Sequence, residues 1–154
     1  MKNTLIARVI LIIGIIIIFI TFVLSVVLLA KYMINVSDPI DRAIVGPVYL
    51  FMMFPLILEE SSLLRSVYKL VKYKPGGAVK VCYIVSAAVV ASALTFQSLC
   101  YTNVITPTAF FPEGPVAATS RFTVLQLTVE WSAIIVSFIL GSFKSTEKTD
   151  NGAA

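Results

Sequence analysis

The sequence predicts an all-α integral membrane four-helix bundle with both termini cytoplasmic. Three observations predict it. The chain is 58% hydrophobic and only 13% charged, with a mean hydropathy of +0.96. A soluble domain has about 45–50% apolar and about 25% charged residues. Four apolar stretches, at about 9–30, 43–64, 81–101 and 122–143, approach or reach the ~20 residues that a helix needs to cross a bilayer. Basic residues are unevenly placed: Lys2, Arg8, Arg65, Lys69, Lys72, Lys74, Lys80, Lys144 and Lys148 on the terminal side, against Lys31, Arg42 and Arg121 on the other. The positive-inside rule then puts the termini and the 65–80 segment in the cytoplasm. The net charge of +4 is this collar and carries no nucleic-acid signal. Residues 1–154 read as one membrane domain.

The first stretch, 9–30, follows Lys2 and Arg8. It exceeds the 7–15 apolar residues of a signal peptide and has no convincing small-residue cleavage site, so it is read as a retained span. Gly14, Thr21 and Ser25 share a face and predict a packing seam; back-bonding of Thr and Ser to their own helix is the alternative. Asp38-Pro39 marks a turn, and Asn35-Val36-Ser37 matches a glycosylation sequon that chance explains better.

In the second stretch Gly46-Pro47 lies near the start, and Pro55 is expected to kink the helix. Glu59-Glu60-Ser61-Ser62 follows. Leu63, Leu64, Val67, Leu70 and Val71 then form one apolar face, with Arg65, Lys69 and Lys72 elsewhere on the turn. This predicts a basic amphipathic extension over about 61–73 lying on the membrane surface, stopped by Pro75-Gly76-Gly77. Glu59 and Glu60 are a possible interfacial acidic site. The preferred reading is two carboxylates in the headgroup layer beside the basic residues.

The third stretch is rich in small residues. Ala87/Ala91 and Ala88/Ser92 fit the small-xxx-small pattern of close helix contact. Ser86, Ala93 and Gln97 share a face, and Gln97 is a candidate hydrogen-bond partner for Gln126 or Glu130. Cys82 and Cys100 are 100 − 82 = 18 positions apart, or ~27 Å along a helix, too far for a disulfide. Residues 102–121 have no helical or strand period. They predict a loop with Phe110-Phe111 dipping into the interface, as a lid or partner surface. Residues 144–154 predict a disordered tail.

The last stretch carries the candidate site. Thr123, Gln126, Glu130, Ala133, Ser137 and Gly141 recur at helical spacing as one polar and small stripe. In lipid such a stripe turns toward other helices. Glu130 falls ~12 Å into the helix, near mid-depth of a ~30 Å hydrocarbon layer. An ionised acid there costs about 3 kcal/mol on insertion scales. No Lys, Arg or His lies at that depth in another span. Glu130 is therefore protonated and hydrogen-bonded to Gln or Ser, or binds a moving proton or cation, or meets a basic partner on another chain; the first is preferred.

Histidine is absent from the chain, so the usual haem ligands and most zinc sites are missing. No phosphate-binding glycine loop, metal-spaced cluster or base-activated nucleophile occurs. No cofactor and no metal are expected. The catalytic set is empty, and partners are the lipid bilayer and other membrane subunits or further copies of the chain.

Residues 43–100 resemble a widespread bacterial family of small four-helix cytoplasmic-membrane proteins of unknown function. The likeness rests on Gly46, Pro55, Leu63-Leu64 and Lys80-Val81-Cys82. The chain departs from the family in a shorter linker between the second and third spans and in lacking an acidic Pro-Gly motif in the last loop. The resemblance implies a bacterial cytoplasmic membrane location and no site residues.

The function expected is a non-catalytic accessory, assembly or regulatory subunit of a larger membrane complex. The alternatives are a small ion- or proton-coupled transport protein using Glu130, with Gln97 and Gln126 lining its path, or an integral membrane enzyme acting on a lipophilic substrate. A tetraspan adhesion role lacks the cysteine-braced outer loop.

Overall fold

Four long helices and one short one account for nearly all of residues 2–35, 39–102, 104–111 and 115–143, which the computed structural model describes. They are α1 (Lys2–Asn35), α2 (Pro39–Tyr73), α3 (Gly77–Tyr101), α4 (Pro107–Phe110) and α5 (Pro115–Gly141). The 36–38 part of the predicted first connection and the predicted 144–154 tail lie outside the described residues.

The all-α reading holds. Three helices are long and apolar enough to cross a membrane: α1 over Thr4–Lys31, α3 over Gly77–Cys100 and α5 over Ala118–Gly141. By length and composition this is a membrane protein. α2 differs from them, because its apolar stretch 43–58 is bounded by Asp41-Arg42 and Glu59-Glu60.

Two expectations for α2 and the last loop need correction. The 61–73 segment continues α2, as expected, and what differs is its inner face: Ser66 is buried against the bundle while most of the segment stays partly or fully exposed. Glu59, Ser62, Ser66 and Lys69 repeat at helical spacing, so the face that enters the core carries on past the acids. Residues 102–121 are not a structureless loop. They contain α4, and α5 begins at Pro115, where a proline at the first helical position forfeits no hydrogen bond. Phe110 rests on Phe122, with ring centroids 5.7 Å apart, and Phe122 on Phe96 at 6.2 Å.

α2 is the hub. It packs against α1, α3 and α5, and α3 packs against α5; among the described residues α1 packs against α2 alone. The residue pairs fix the directions. Gly14 meets Leu64 and Thr21 meets Glu60; Ser66 meets Ser86 and Lys69 meets Tyr83; Ser86 meets Ser137 and Gln97 meets Glu130, so neighbouring long helices run antiparallel. Ser62 meets Ser137 and Lys69 meets Gly141, so α2 and α5 run parallel. Arg8, Arg65, Lys69, Lys72 and Lys80 therefore gather toward one end.

The α1 seam forms where Gly14 and Thr21 predict it. A Cβ on Gly14 would run into the Leu64 side chain. Thr21 donates to Glu60 Oε1 at 2.9 Å, whereas Ser25 bonds back to the Thr21 carbonyl at 2.7 Å. Pro55 sits buried within a continuous α2.

The α2–α3 turn uses left-handed backbone at Lys74 (φ 42°) and Gly77 (φ 53°). A side chain at Gly77 meets no neighbour, so only the backbone resists one. Gly77→Ala is expected to lower stability by ~1 kcal/mol, read from thermal unfolding in detergent, while Gly76→Ala changes it less.

Candidate functional site

Three helices, α2, α3 and α5, each carry one polar face. On α2 it is Glu59, Ser62, Ser66 and Lys69. On α3 it is Tyr83, Ser86 and Gln97. On α5 it is Gln126, Glu130 and Ser137. Of these, Glu59, Ser66, Tyr83, Ser86, Gln97, Glu130 and Ser137 are buried, with Val90, Ala93 and Ala133 between them. The helices turn these faces toward one another because backbone and side-chain polar groups find no partner in hydrocarbon.

Glu130 stands at the centre of the upper cluster. Its Oε1 accepts from Gln97 Nε2 at 2.9 Å and from Gln126 Nε2 at 2.8 Å. The structure thus brings Gln97, Gln126 and Glu130 together. Glu130 lies halfway along the apolar part of α5, yet it is level with Gln97, about one turn from the end of α3. The helices are staggered, and Phe122, one turn beyond Gln126, closes that end with Phe96 and Phe110.

Glu59 and Glu60 separate, although adjacent in sequence. A step of one residue turns a helix by 100°, so they face different neighbours. Glu60 turns to Thr21 on α1. Glu59 turns into the core and is 0% exposed; it lies one turn from Ser62, which meets Ser137, and Glu130 lies two turns from Ser137 in the same direction. The two acids are therefore not a side-by-side pair: one is buried among α2, α3 and α5 and the other faces α1.

Several polar atoms here are buried without a hydrogen-bond partner among the described residues: both oxygens of Glu59, Glu130 Oε2, Gln97 Oε1, Glu60 Oε2 and Trp131 Nε1. Excepting the indole, all are acceptors. The core is therefore short of donors, and protons or a cation would relieve it. No group of three or more His, Cys, Asp or Glu residues suited to a metal ion occurs among the described residues.

Below the acids runs a chain of hydroxyls. Ser66 and Ser86 lie 2.8 Å apart and Ser86 and Ser137 2.7 Å apart; Ser137 donates to Ser62 at 3.0 Å. Ser86 also reaches the Ser137 carbonyl at 3.2 Å. At the far end Lys69 donates to the Gly141 carbonyl and Tyr83 to that of Phe143, where α5 ends. The Lys69 ammonium lies over the Tyr83 ring at 5.1 Å, and burial together with nearby Arg65 holds it below the usual lysine range.

Sequence reasoning placed Glu130, Gln126, Gln97, Ser86 and Ser137 on inward faces but missed Ser66, Tyr83 and the inward turn of Lys69. The spacing of Glu59, Ser62, Ser66 and Lys69 held that signal. Thr123, expected on the α5 stripe, bonds instead to its own helix at the Thr119 carbonyl, and Phe122 takes the buried place.

Fold and site define a helical membrane protein with a carboxyl-bearing polar core. No protein-family model, no curated protein and no solved structure matches the chain.

Proposed function

We propose that the chain crosses the bilayer four times, α2 included, with both termini cytoplasmic, and serves as a non-catalytic accessory, assembly or regulatory subunit of a larger membrane complex. The single observation that carries this reading is the outward face of α3. Ala88, Ala91 and Ser92, members of the small-residue pairs that predict close helix contact, are exposed, because α3 packs through Tyr83, Ser86, Val90, Ala93 and Gln97 instead. Ala88 and Ser92 border a groove of about 690 Å³ between α3 and α5, shared with Ser132 and Ala133. Ser92 and Thr95 satisfy their hydroxyls on their own helix, so the groove offers small, quiet contours to a visiting transmembrane helix. A fourth crossing is supported by the antiparallel order of neighbouring helices and by the basic residues at one end. A bacterial cytoplasmic membrane is part of the same proposal through the resemblance at Gly46, Pro55, Leu63-Leu64 and Lys80-Val81-Cys82.

Native mass spectrometry of the protein extracted in mild detergent tests it. A foreign subunit at fixed stoichiometry, lost on Ser92→Trp, is the expected result. A chain that arrives alone or only with its own copies overturns the reading.

A second reading, a proton- or ion-coupled transport protein, is favoured by a different observation: two fully buried carboxyl groups with unpartnered oxygens. Proton flux into proteoliposomes that is unchanged by Glu130→Gln would reject it.

A further inference from the structure

We infer that Glu59 and Glu130 form a proton-binding carboxyl pair that is loaded from the Lys69 end of the bundle through the hydroxyls of Ser66, Ser86, Ser137 and Ser62. The inference is independent of the accessory reading and holds whether or not a partner subunit exists.

The ligand follows from the unpartnered atoms. Glu59 offers two acceptor oxygens, Glu130 one, and Gln97 its amide oxygen, and all three residues are at most 1% exposed. Gln97 is aimed at the pair by the hydrogen bond its Nε2 donates to Glu130 Oε1 at 2.9 Å. The Ser62–Ser137 contact sets the two acids about one helical turn apart in height on facing helices, and two carboxylates so placed in a low-dielectric interior do not both ionise cheaply. A proton turns one acceptor into a donor and gives an unpartnered neighbour what it lacks.

The direction follows from what closes each end. Toward α4 the face continues as Phe122, packed on Phe96 and Phe110. Toward the basic end it continues as four hydroxyls in unbroken hydrogen-bond contact, at 2.8, 2.7 and 3.0 Å. Glu59 is one turn from Ser62 on α2, and Lys69 is one turn from Ser66. Each of these steps is ~4.5 Å along the helix axis, the span of one bridging water.

The transfer balances without any redox change. A water bridging Lys69 and Ser66 gives a proton to Ser66 and is itself reprotonated from bulk water at the basic end, while Ser66 passes its own hydroxyl proton to Ser86. Ser86 does the same to Ser137, and Ser137 to Ser62. Ser62 protonates a bridging water, which gives up a different proton to form the O–H bond on Glu59. Each hydroxyl then rotates back, and the Ser137 carbonyl holds Ser86 between passages.

Other titratable groups surround the route. Glu60 on α2 is turned to Thr21 of α1, and Cys100 on α3 lies within electrostatic reach of Glu130. Arg65, Lys69 and Tyr83 stand at the entrance, with Arg65 over the Phe138 ring.

The test is infrared spectroscopy of the carboxylic-acid C=O band after a pH jump, on the full chain in lipid nanodiscs. The expected result has three parts. The band titrates in the wild type. Glu59→Gln removes part of it. Ser86→Ala leaves the midpoint in place and slows the band's appearance about tenfold, the rate effect of losing one link worth ~1.4 kcal/mol. A purely structural serine cluster would leave the rate unchanged. Ser62→Ala, at the end of the chain, gives the same reading if Ser86→Ala does not fold. Equal rates in wild type and in the serine variants overturn the route. A band untouched by Glu59→Gln overturns the pair. Loss of the band on adding NaCl at fixed pH, but not choline chloride, replaces the proton with a metal cation and overturns the assignment.

Discussion

Glu130→Ala is expected to destabilise the protein by about 2 kcal/mol, and Glu130→Gln by much less. In the native core Glu130 Oε1 is the acceptor for both Gln97 and Gln126. Alanine strands two buried amide donors and leaves a void. In soluble proteins each stranded group costs roughly 1–3 kcal/mol. Interhelical hydrogen bonds in bilayers average only ~0.6 kcal/mol, because helices separated in lipid also find partners, and this draws the total down. Glutamine keeps an acceptor for both amides. Its new N–H bonds also meet a core in which Glu59 and Gln97 already hold unpartnered oxygens. Unfolding in mixed micelles, followed by circular dichroism, gives the order wild type ≥ Glu130→Gln > Glu130→Ala. Equal losses for both variants would show that the charge of Glu130, not its acceptor role, holds the core.

Gly14→Leu is expected to loosen α1 from the bundle, at a cost of about 1–3 kcal/mol for overpacking. A Cβ at Gly14 already meets the tip of Leu64, so the larger side chain pushes the helices apart. α1 packs against α2 alone, so nothing else holds it in place among the described residues. Thr21 then loses its contact with Glu60, leaving the acid without the 2.9 Å bond. Leu64→Ala makes room, so the double variant Gly14→Leu/Leu64→Ala is expected to recover much of the loss. Thermal unfolding of the four proteins gives the coupling energy. Additive losses would place the effect of Gly14 elsewhere than at this contact. Gly14→Ala is expected to cost less than Gly14→Leu but still to shift Leu64, whose Cγ and both methyls lie within 3.0 Å of an added Cβ.

The sequence by itself determined the class. Apolar length, scarce charge and one-sided basic residues follow from what a bilayer accepts, and they are properties of composition that need no partner in space. It also determined which α5 residues turn inward, because helical periodicity places Gln126, Glu130, Ala133, Ser137 and Gly141 on one face whatever lies opposite. Only the tertiary structure decided what each face meets. Glu59 and Glu60 differ in fate because one residue's turn sends one to the core and the other to Thr21. The small-residue pairs of α3 were legible, but not that the helix would pack through Ser86, Val90 and Gln97 and leave Ala88 and Ser92 outside. The 61–73 segment has the pattern of a surface helix; one edge of it meets the core because Ser66 and Lys69 find Ser86 and the Gly141 carbonyl, on other helices. Periodicity fixes a residue's direction about its own helix axis, whereas contacts between helices depend on stagger and rotation, which no single helix encodes.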